Sequence, residues 1–382
     1  MAAHFNAAGS ALPTGDVVAA VVDHLRLEEL VGGYEAAAEA RPRIEAVYRS
    51  AAELIGATER EIALFDSAST GLRVILEALR PGARSRVIAS RSTYVSHALH
   101  LMTLARECGA ELVVLPTDAE RRVDLAELDR LLRTGPPAIV TVAHVPTSSG
   151  LVEPVADIGR IVAEHGGTYV LDATQSVGQL VTDVAAIGCD VMVTTGRKFL
   201  RAPRGTAFAY VADRLTAALE PTSPDVRATH WTSALDWEVE ASARRFESWE
   251  SSVAGRLGLG RALDEARERG MEETAAWLCA AGADLRARLA VTPGVTIADP
   301  AGASSAIVTF VVDGVAAADV VVRLAADGVR VVSVPATHGQ WDLGDRGIRA
   351  VVRASPHVYN DENDIAALVA AVARIASGKE SA

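Results

Sequence analysis

The sequence predicts an α/β protein with a large, mainly parallel, doubly wound sheet and a smaller C-terminal α+β unit. Three observations carry that expectation. Apolar strand-like runs alternate with helix-like segments as far as residue 211. The rhythm lapses over 215–252. It resumes after a long helical pattern, 253–290, with fewer and shorter segments. The expected division places 16–259 in the large unit and 260–382 in the small one.

Each element has its own signal. Residues 17–55 carry Ala, Glu and Leu at three- and four-residue spacings, a helical pattern. "EIALFDSAST" reads as a short strand running into a polar turn, and "GLRVILEALRPG" as a helix stopped by Pro81-Gly82. "RVIAS" is a strand, and "YVSHALHLMTLARECGA" a helix closed at Gly109. "ELVVLP" and "AIVTVAHV" are strands with a helix over 123–133 between them. A helix, "VADIGRIVAEHGG", precedes the strands "TYVLD", "DVMVTT" and "TAFAYV". Beyond residue 300 the strands are "AIVTFVV", "VRVVSV" and "IRAVVRAS", with helices at "AAADVVVRLAADG" and 361–376. The segment 215–252 holds Trp231, Trp237 and Trp249 with little periodicity, which suits a rim or an interface.

Composition bounds the function. The 382 residues are 49% hydrophobic and 23% charged, ordinary for a globular chain. A net charge of −12 argues against binding a phosphate backbone, so no nucleic-acid partner is expected. Cys108, Cys189 and Cys279 lack metal or disulfide spacing, which suits a reducing compartment. The N-terminus lacks a basic-then-apolar signal pattern, and no apolar run reaches membrane-span length. A cytoplasmic protein is expected.

One residue stands out. Of the 37 basic residues only Lys198 and Lys379 are lysines. Charge is otherwise supplied by Arg, so an interior lysine answers a need that Arg cannot meet. A guanidinium stays protonated and is no amine nucleophile, whereas a buried lysine sheds its proton. Lys198 follows the strand "DVMVTT", where ligands of such sheets collect. A Schiff-base lysine for pyridoxal phosphate needs a carboxylate on the ring nitrogen, and Asp172 ends the strand "TYVLD". The phosphate needs a helix N-terminus with small hydroxyls, which Ser69 and Thr70 offer, with Thr195 and Arg197 beside the lysine. Tyr94, after "RVIAS", offers a ring to stack on the cofactor.

"YVLDATQSVGQL", "TTGRKFLRAPRGTAFAYV" and "VRASPHVYN" together resemble the class V aminotransferases, pyridoxal-phosphate enzymes of fold type I. The resemblance implies a mainly parallel seven-stranded sheet, pyridoxal 5'-phosphate as cofactor, and a homodimer with shared active sites, for which 215–252 is the candidate surface. It implies that Lys198 binds the cofactor aldehyde and later acts as base at Cα, and that Asp172 partners the pyridinium. Thr147 and Gln175 would contact the ring hydroxyl, Ser69, Thr70, Thr195 and Arg197 the phosphate, and Arg353 the substrate carboxylate. Asn6 would open an arm, residues 1–15, that closes over the substrate. His144 and His357 sit in motifs that line such sites, and His338 on a loop placed to cover one.

The departures bear on the reaction. Cysteine desulfurases carry a mobile catalytic cysteine where this chain reads "VSVPATHGQWDLGDRG", and no Cys follows Cys279. A protein persulfide is therefore not expected. Many relatives follow "RFE" with Gly-Thr, whose hydroxyl reaches the neighbouring subunit's phosphate, and this chain continues "SWESS". Either Ser251 or Ser252 substitutes or that contact is lost, with Glu250 turned elsewhere or toward substrate. "VGGYEAAAEA" and "GRKFLRAPRG" resemble the lyases that cleave cysteine-derived sulfur conjugates and related enzymes of antibiotic pathways, with Tyr34 reaching the site. The expected reaction is elimination across Cα–Cβ of an S-substituted cysteine or its sulfoxide, in secondary metabolism. Transamination, epimerisation or decarboxylating deamination on the same scaffold is the alternative.

Overall fold

The structure, a computed structural model, describes residues 3–378. Three helices open it: α1 (Gly15–Val31), α2 (Gly33–Glu39) and α3 (Arg41–Ile55). Then β1 (Ile62–Phe65), α4 (Ala68–Ala78), β2 (Arg86–Ala89), α5 (Val95–Cys108) and β3 (Glu111–Val114) follow. After them come α6 (Leu125–Thr134), β4 (Ala138–Ala143), α7 (Val155–Glu164), β5 (Thr168–Asp172), β6 (Val191–Thr195) and β7 (Ala207–Val211).

These strands form one seven-stranded sheet in the order β1-β7-β6-β5-β4-β2-β3. Neighbours from β6 through β3 run parallel, and β7 runs antiparallel to both β6 and β1. The parallel strands are apolar on both faces because helices cover both. Val47, Ile55, Ile158 and Leu263 pack on one face, and Leu72, Ile75 and Leu101 on the other. The polar loops are left at the strand ends, and the carboxyl ends gather the candidate site.

The chain continues through α8 (Val253–Arg269) and α9 (Met271–Ala290) to a four-stranded antiparallel sheet. Its strands are β8 (Val295–Ile297), β9 (Val308–Val312), β10 (Val332–Pro335) and β11 (Ala350–Ala354), in the order β8-β9-β11-β10. Helices α10 (Ala317–Ala326) and α11 (Glu362–Ala376) cover it, with Leu285, Phe310, Leu324 and Leu368 in its core. Strand β8 has no counterpart among the sequence expectations. The division expected between 259 and 260 falls inside α8. Leu259, Ala262, Leu263 and Ala266 all pack in the core of the large sheet, so the packing changes at Gly270 instead.

The N-terminal arm is a structural strap. Ala3–His4 pairs in parallel with Val329–Arg330, and Phe5 is buried in the small core. The Ala11 N–H donates to the Arg197 carbonyl at 2.9 Å, so the arm passes from one core to the other beside Lys198.

The 215–252 segment carries an antiparallel hairpin, Thr229–Trp231 with Trp237–Val239, whose Trp231 and Leu235 are 80% and 85% exposed. It is anchored at Glu247, whose side chain is fully buried. The Glu247 carboxylate accepts from the Tyr48 hydroxyl at 2.8 Å, the Leu64 N–H at 2.9 Å and Arg227 Nε at 3.1 Å. Arg256 Nη2 approaches it at 3.3 Å. Burial and this carboxylate together hold the Tyr48 phenol well above its ordinary range. Removing the carboxylate strands two guanidinium groups and a phenol away from water. Glu247→Ala is therefore expected to lower unfolding free energy by about 3–5 kcal/mol, measured as the urea midpoint. A loss under about 1 kcal/mol would show that the network is decorative.

Candidate active site

A cavity of about 510 Å³ lies at the carboxyl ends of the parallel strands. Loops that follow several of the strands contribute: Asp66 to Ser69 after β1, Ser92 and Tyr94 after β2, Val145 and Thr147 after β4. Asp172, Thr174 and Gln175 come from β5, and Thr195, Arg197 and Lys198 from β6. The small sheet closes the cavity with Val332, Ser333, Val334, His338 and Arg353, and the arm adds Ala8 and Gly9.

Lys198 is 8% exposed. Burial first, and the Arg197 guanidinium second, lower its ammonium to about 7, against the pull of Asp172. A large share is thus free amine at neutral pH, the form that attacks an aldehyde. One Asp172 oxygen, Oδ1, accepts from the Thr174 N–H at 2.9 Å. Strand register sets that carboxylate beside Val193 of β6, five residues before the lysine.

Arg353 stands on β11 and is buried. Its Nη1 donates to the Thr147 hydroxyl at 2.5 Å and carbonyl at 3.2 Å, and its Nη2 to Asn6 Oδ1 at 3.4 Å. None of these partners is a carboxylate. Burial, then Arg197, lower its guanidinium to about 10. A buried guanidinium held only by neutral oxygens suits an anionic ligand.

The lining fits pyridoxal 5'-phosphate. Gln175 Oε1, His97 Nδ1, Thr174 Oγ1 and Arg353 Nε are buried polar atoms with no hydrogen-bond partner among the described residues, and all four residues line the cavity. Buried groups of this kind are seldom left unpaired in a finished site. The start of α4, capped by Ser67, turns free N–H groups toward the cavity beside Ser69.

Most of the sequence-derived set meets here: Ser69, Tyr94, Thr147, Asp172, Gln175, Thr195, Arg197, Lys198 and Arg353. Several positions differ. Thr70 is one helical step round from Ser69. Its hydroxyl pairs with Ser67 at 2.9 Å, and it borders a second cleft of about 120 Å³ with Glu250, Ser251, Ser252 and Arg256. Arg197 lines the cavity, yet its Nη1 donates to the Gly9 carbonyl of the arm. Asn6 acts behind Arg353, and Ala8 and Gly9 face the cavity in its place. Tyr34 is 78% exposed on α2, away from its own chain's cavity, because Gly32, at φ 96°, serves to break α1 from α2. His144 does not line the cavity, and neither does His357. The latter's Nε2 bonds the Phe199 carbonyl at 2.9 Å, and burial pushes its imidazole down to about 3.

Sequence reasoning missed Ser67, Ser92 and His97. His97 carried a signal, since it lies three residues after Tyr94 and so on the same helical face. Its Nε2 meets Thr141 Oγ1 at 2.8 Å, and burial lowers it to about 4 despite the attraction of Asp172.

Fold and site together define an α/β protein with a partly neutral lysine, a partnering aspartate and an unpaired buried arginine in one cavity. The family Aminotransferase class-V matches residues 3–368, and this chain belongs to that family. A probable cysteine desulfurase of Mycolicibacterium paratuberculosis is 29% identical over 90% of this chain and 50% of its own. The chain spans about half the length of that relative and of a cysteine desulfurase from Synechococcus elongatus, 29% identical over 75% of this chain and 46% of its own. The fold is shared with a cysteine desulfurase of Thermococcus onnurineus, at a TM-score of 0.89 and 22% identity over 99% of this chain and 95% of that one.

The lysine has a measurable signature. In the folded chain Lys198 titrates near 7, and unfolded it titrates near about 10.4. Between those values the unfolded chain binds more protons, so this residue makes stability rise with pH across the window. Cofactor-free Lys198→Met is therefore expected to exceed the cofactor-free parent in urea stability at pH 7. The margin should narrow as the pH is raised toward 10, and an equal margin at both would count against a lowered amine.

Proposed function

We propose that this chain is a pyridoxal-phosphate-dependent C–S lyase that eliminates sulfur from cysteine or an S-substituted cysteine. The observation that carries the reading is the pairing of Lys198, lowered to about 7, with a buried Arg353 that has no carboxylate partner in the same cavity. A base and a carboxylate anchor in one cavity suit proton removal at the Cα of an amino acid. The relatives named as cysteine desulfurases support C–S cleavage as the outcome.

Bound cofactor supplies an electron sink for the pair left at Cα. Lys198 would hold its aldehyde, Asp172 would partner the ring nitrogen, Gln175 and Thr147 would contact the ring hydroxyl, and the start of α4 with Ser69 and Thr195 would receive the phosphate. Arg353 binds the substrate carboxylate and so orients the Cα–H bond, with Asn6 and Thr147 fixing the guanidinium. Lys198, as a free amine in the same cavity, would remove the Cα proton. The sulfur at Cβ then leaves, and the three-carbon fragment hydrolyses to pyruvate and ammonia.

Where the sulfur goes separates this chain from a persulfide-forming enzyme. None of the three cysteines lines the cavity. Cys189 is buried in the large core, where burial raises its thiol to about 12. The sulfur therefore departs as a small molecule and not on a protein cysteine. The exposed Trp231, Trp237 and Trp249 support pairing of two copies through the 215–252 segment, which sedimentation would reveal as a mass of two chains.

The test is to supply the cofactor-loaded protein with L-cystine and S-ethyl-L-cysteine and to measure pyruvate. Pyruvate without conversion of the cofactor to its pyridoxamine form is expected, and accumulation of the pyridoxamine form with a keto acid would establish transamination instead. Lys198→Ala should bind no cofactor that borohydride can fix to the chain. Arg353→Ala should lower kcat/KM by about 100-fold, the loss of roughly 3 kcal/mol from one buried charge contact.

A further inference from the structure

We propose that His338 is the general acid that protonates the departing sulfur. The inference rests on the lyase reading above. His338 ends a 3₁₀ turn, Ala336–His338, that follows β10 and forms part of the cavity wall. Its ring meets Tyr94 edge-on, with centroids 6.2 Å apart and planes at 64°. The two side chains come from opposite sheets and meet across the cavity.

The position follows by elimination around Cα. The amine is committed to the cofactor, the carboxylate to Arg353 and the proton to Lys198. The part of the wall that the small unit adds beside Arg353 is Val332, Ser333, Val334 and His338, with Tyr94 meeting His338 from the large unit, and the substrate side chain is assigned to that part. Of the imidazoles that line the cavity, His97 is buried, its Nε2 is engaged with Thr141, and it is held near 4. His338 is exposed at the mouth, so water reloads it after each turnover.

The segment that carries His338 is pinned. A π-helical turn, Gln340–Gly344, follows it, and Asp342 there is buried. Asp342 accepts from the Ser148 hydroxyl at 3.0 Å and pairs with Arg121 at 3.5 Å and Arg346 at 3.6 Å. Asp345 pairs with Arg91 at 3.2 Å and Arg121 at 3.3 Å, and Arg91 also donates to the Trp341 carbonyl at 3.2 Å. Arg91, Arg121 and Ser148 all belong to the large unit. These contacts tie the turn that follows His338 to the large unit, and β10 holds the residues before it in the small sheet.

The step balances without a further reactant. The Cα–H bond breaks and its proton goes to Lys198. The Cβ–S bond breaks and its electron pair leaves with sulfur. Protonated His338 gives its proton to that sulfur, a thiol departs, and water restores the proton.

A leaving group that needs no proton separates this role from a structural one. The loaded parent and His338→Gln are compared on S-ethyl-L-cysteine and β-chloro-L-alanine, whose chloride departs unprotonated. The ratio of kcat for the chloride to kcat for the thioether is expected to rise about 100-fold in the variant. His338→Ala should show the same rise, and added imidazole should reverse it. An unchanged ratio in both variants overturns the inference and leaves the lyase reading standing. A parent that releases pyruvate from neither compound overturns both.

Discussion

The cavity depends on one electrostatic constraint, a buried amine whose charge is disfavoured in a cationic pocket. Arg197, Arg204 and Arg353 share the lining with Lys198, and the carboxylates among the lining residues are Asp66 and Asp172. Asp172 favours the ammonium, whereas burial and Arg197 oppose it and win. The amine thus stays available for covalent chemistry because the site is short of anions. A cofactor phosphate and a substrate carboxylate would supply the missing charge, so ligand binding and charge balance become the same event.

That arrangement depends on bringing Arg353, from one sheet, to a cavity built by another. Asp299 ties the seam. Fully buried, it accepts from the Gly150 N–H at 2.9 Å, the Thr309 hydroxyl at 2.6 Å and Arg286 Nε at 2.9 Å. Gly150 is needed for the close approach, since a Cβ there would fall 2.2 Å from the Ile307 carbonyl oxygen. The arm adds a second tie: Gln175 Nε2 donates to the Ala8 carbonyl at 3.1 Å, and Ser355 exchanges backbone hydrogen bonds with Phe5 and Ala7. With two independent seams, the placement of Arg353 is a property of the whole chain and not of β11 alone.

Much of this was legible in sequence, for reasons specific to each residue. Lys198 was visible because the chain avoids lysine elsewhere, and Asp172 because a carboxylate ending an apolar parallel strand has few structural uses. The large sheet was legible because both faces are covered, which leaves unbroken apolar runs such as Ala138–Ala143. Strand β8 was hidden because three residues at a sheet edge carry no readable period. The expected division at 259 falls within α8 because α8 and α9 read as one helical pattern, and only packing shows that Gly270 separates them. Tyr34 lies away from its own chain's cavity, and in sequence a Gly-Gly pair looks the same whether it admits a ligand or ends a helix. Arg353 became legible through the family resemblance, since nothing local marks it apart from the many other arginines.

The loop after β10 shows how one local change redirects a shared chemistry. A cysteine that carries sulfur away must leave the cavity once loaded, so its segment has to move. Here two carboxylates, Asp342 and Asp345, meet Arg91, Arg121 and Arg346, and Trp341 packs partly buried against the core on the α4 and α5 face of the large sheet. Arg121 holds φ at 70°, a left-handed conformation that a side chain adopts at some cost and that its two carboxylate partners offset. A segment tied through residues 341–345 in this way serves as a wall. On the proposed reading, a wall bearing an imidazole would hand sulfur a proton, and the elimination would end in a free product.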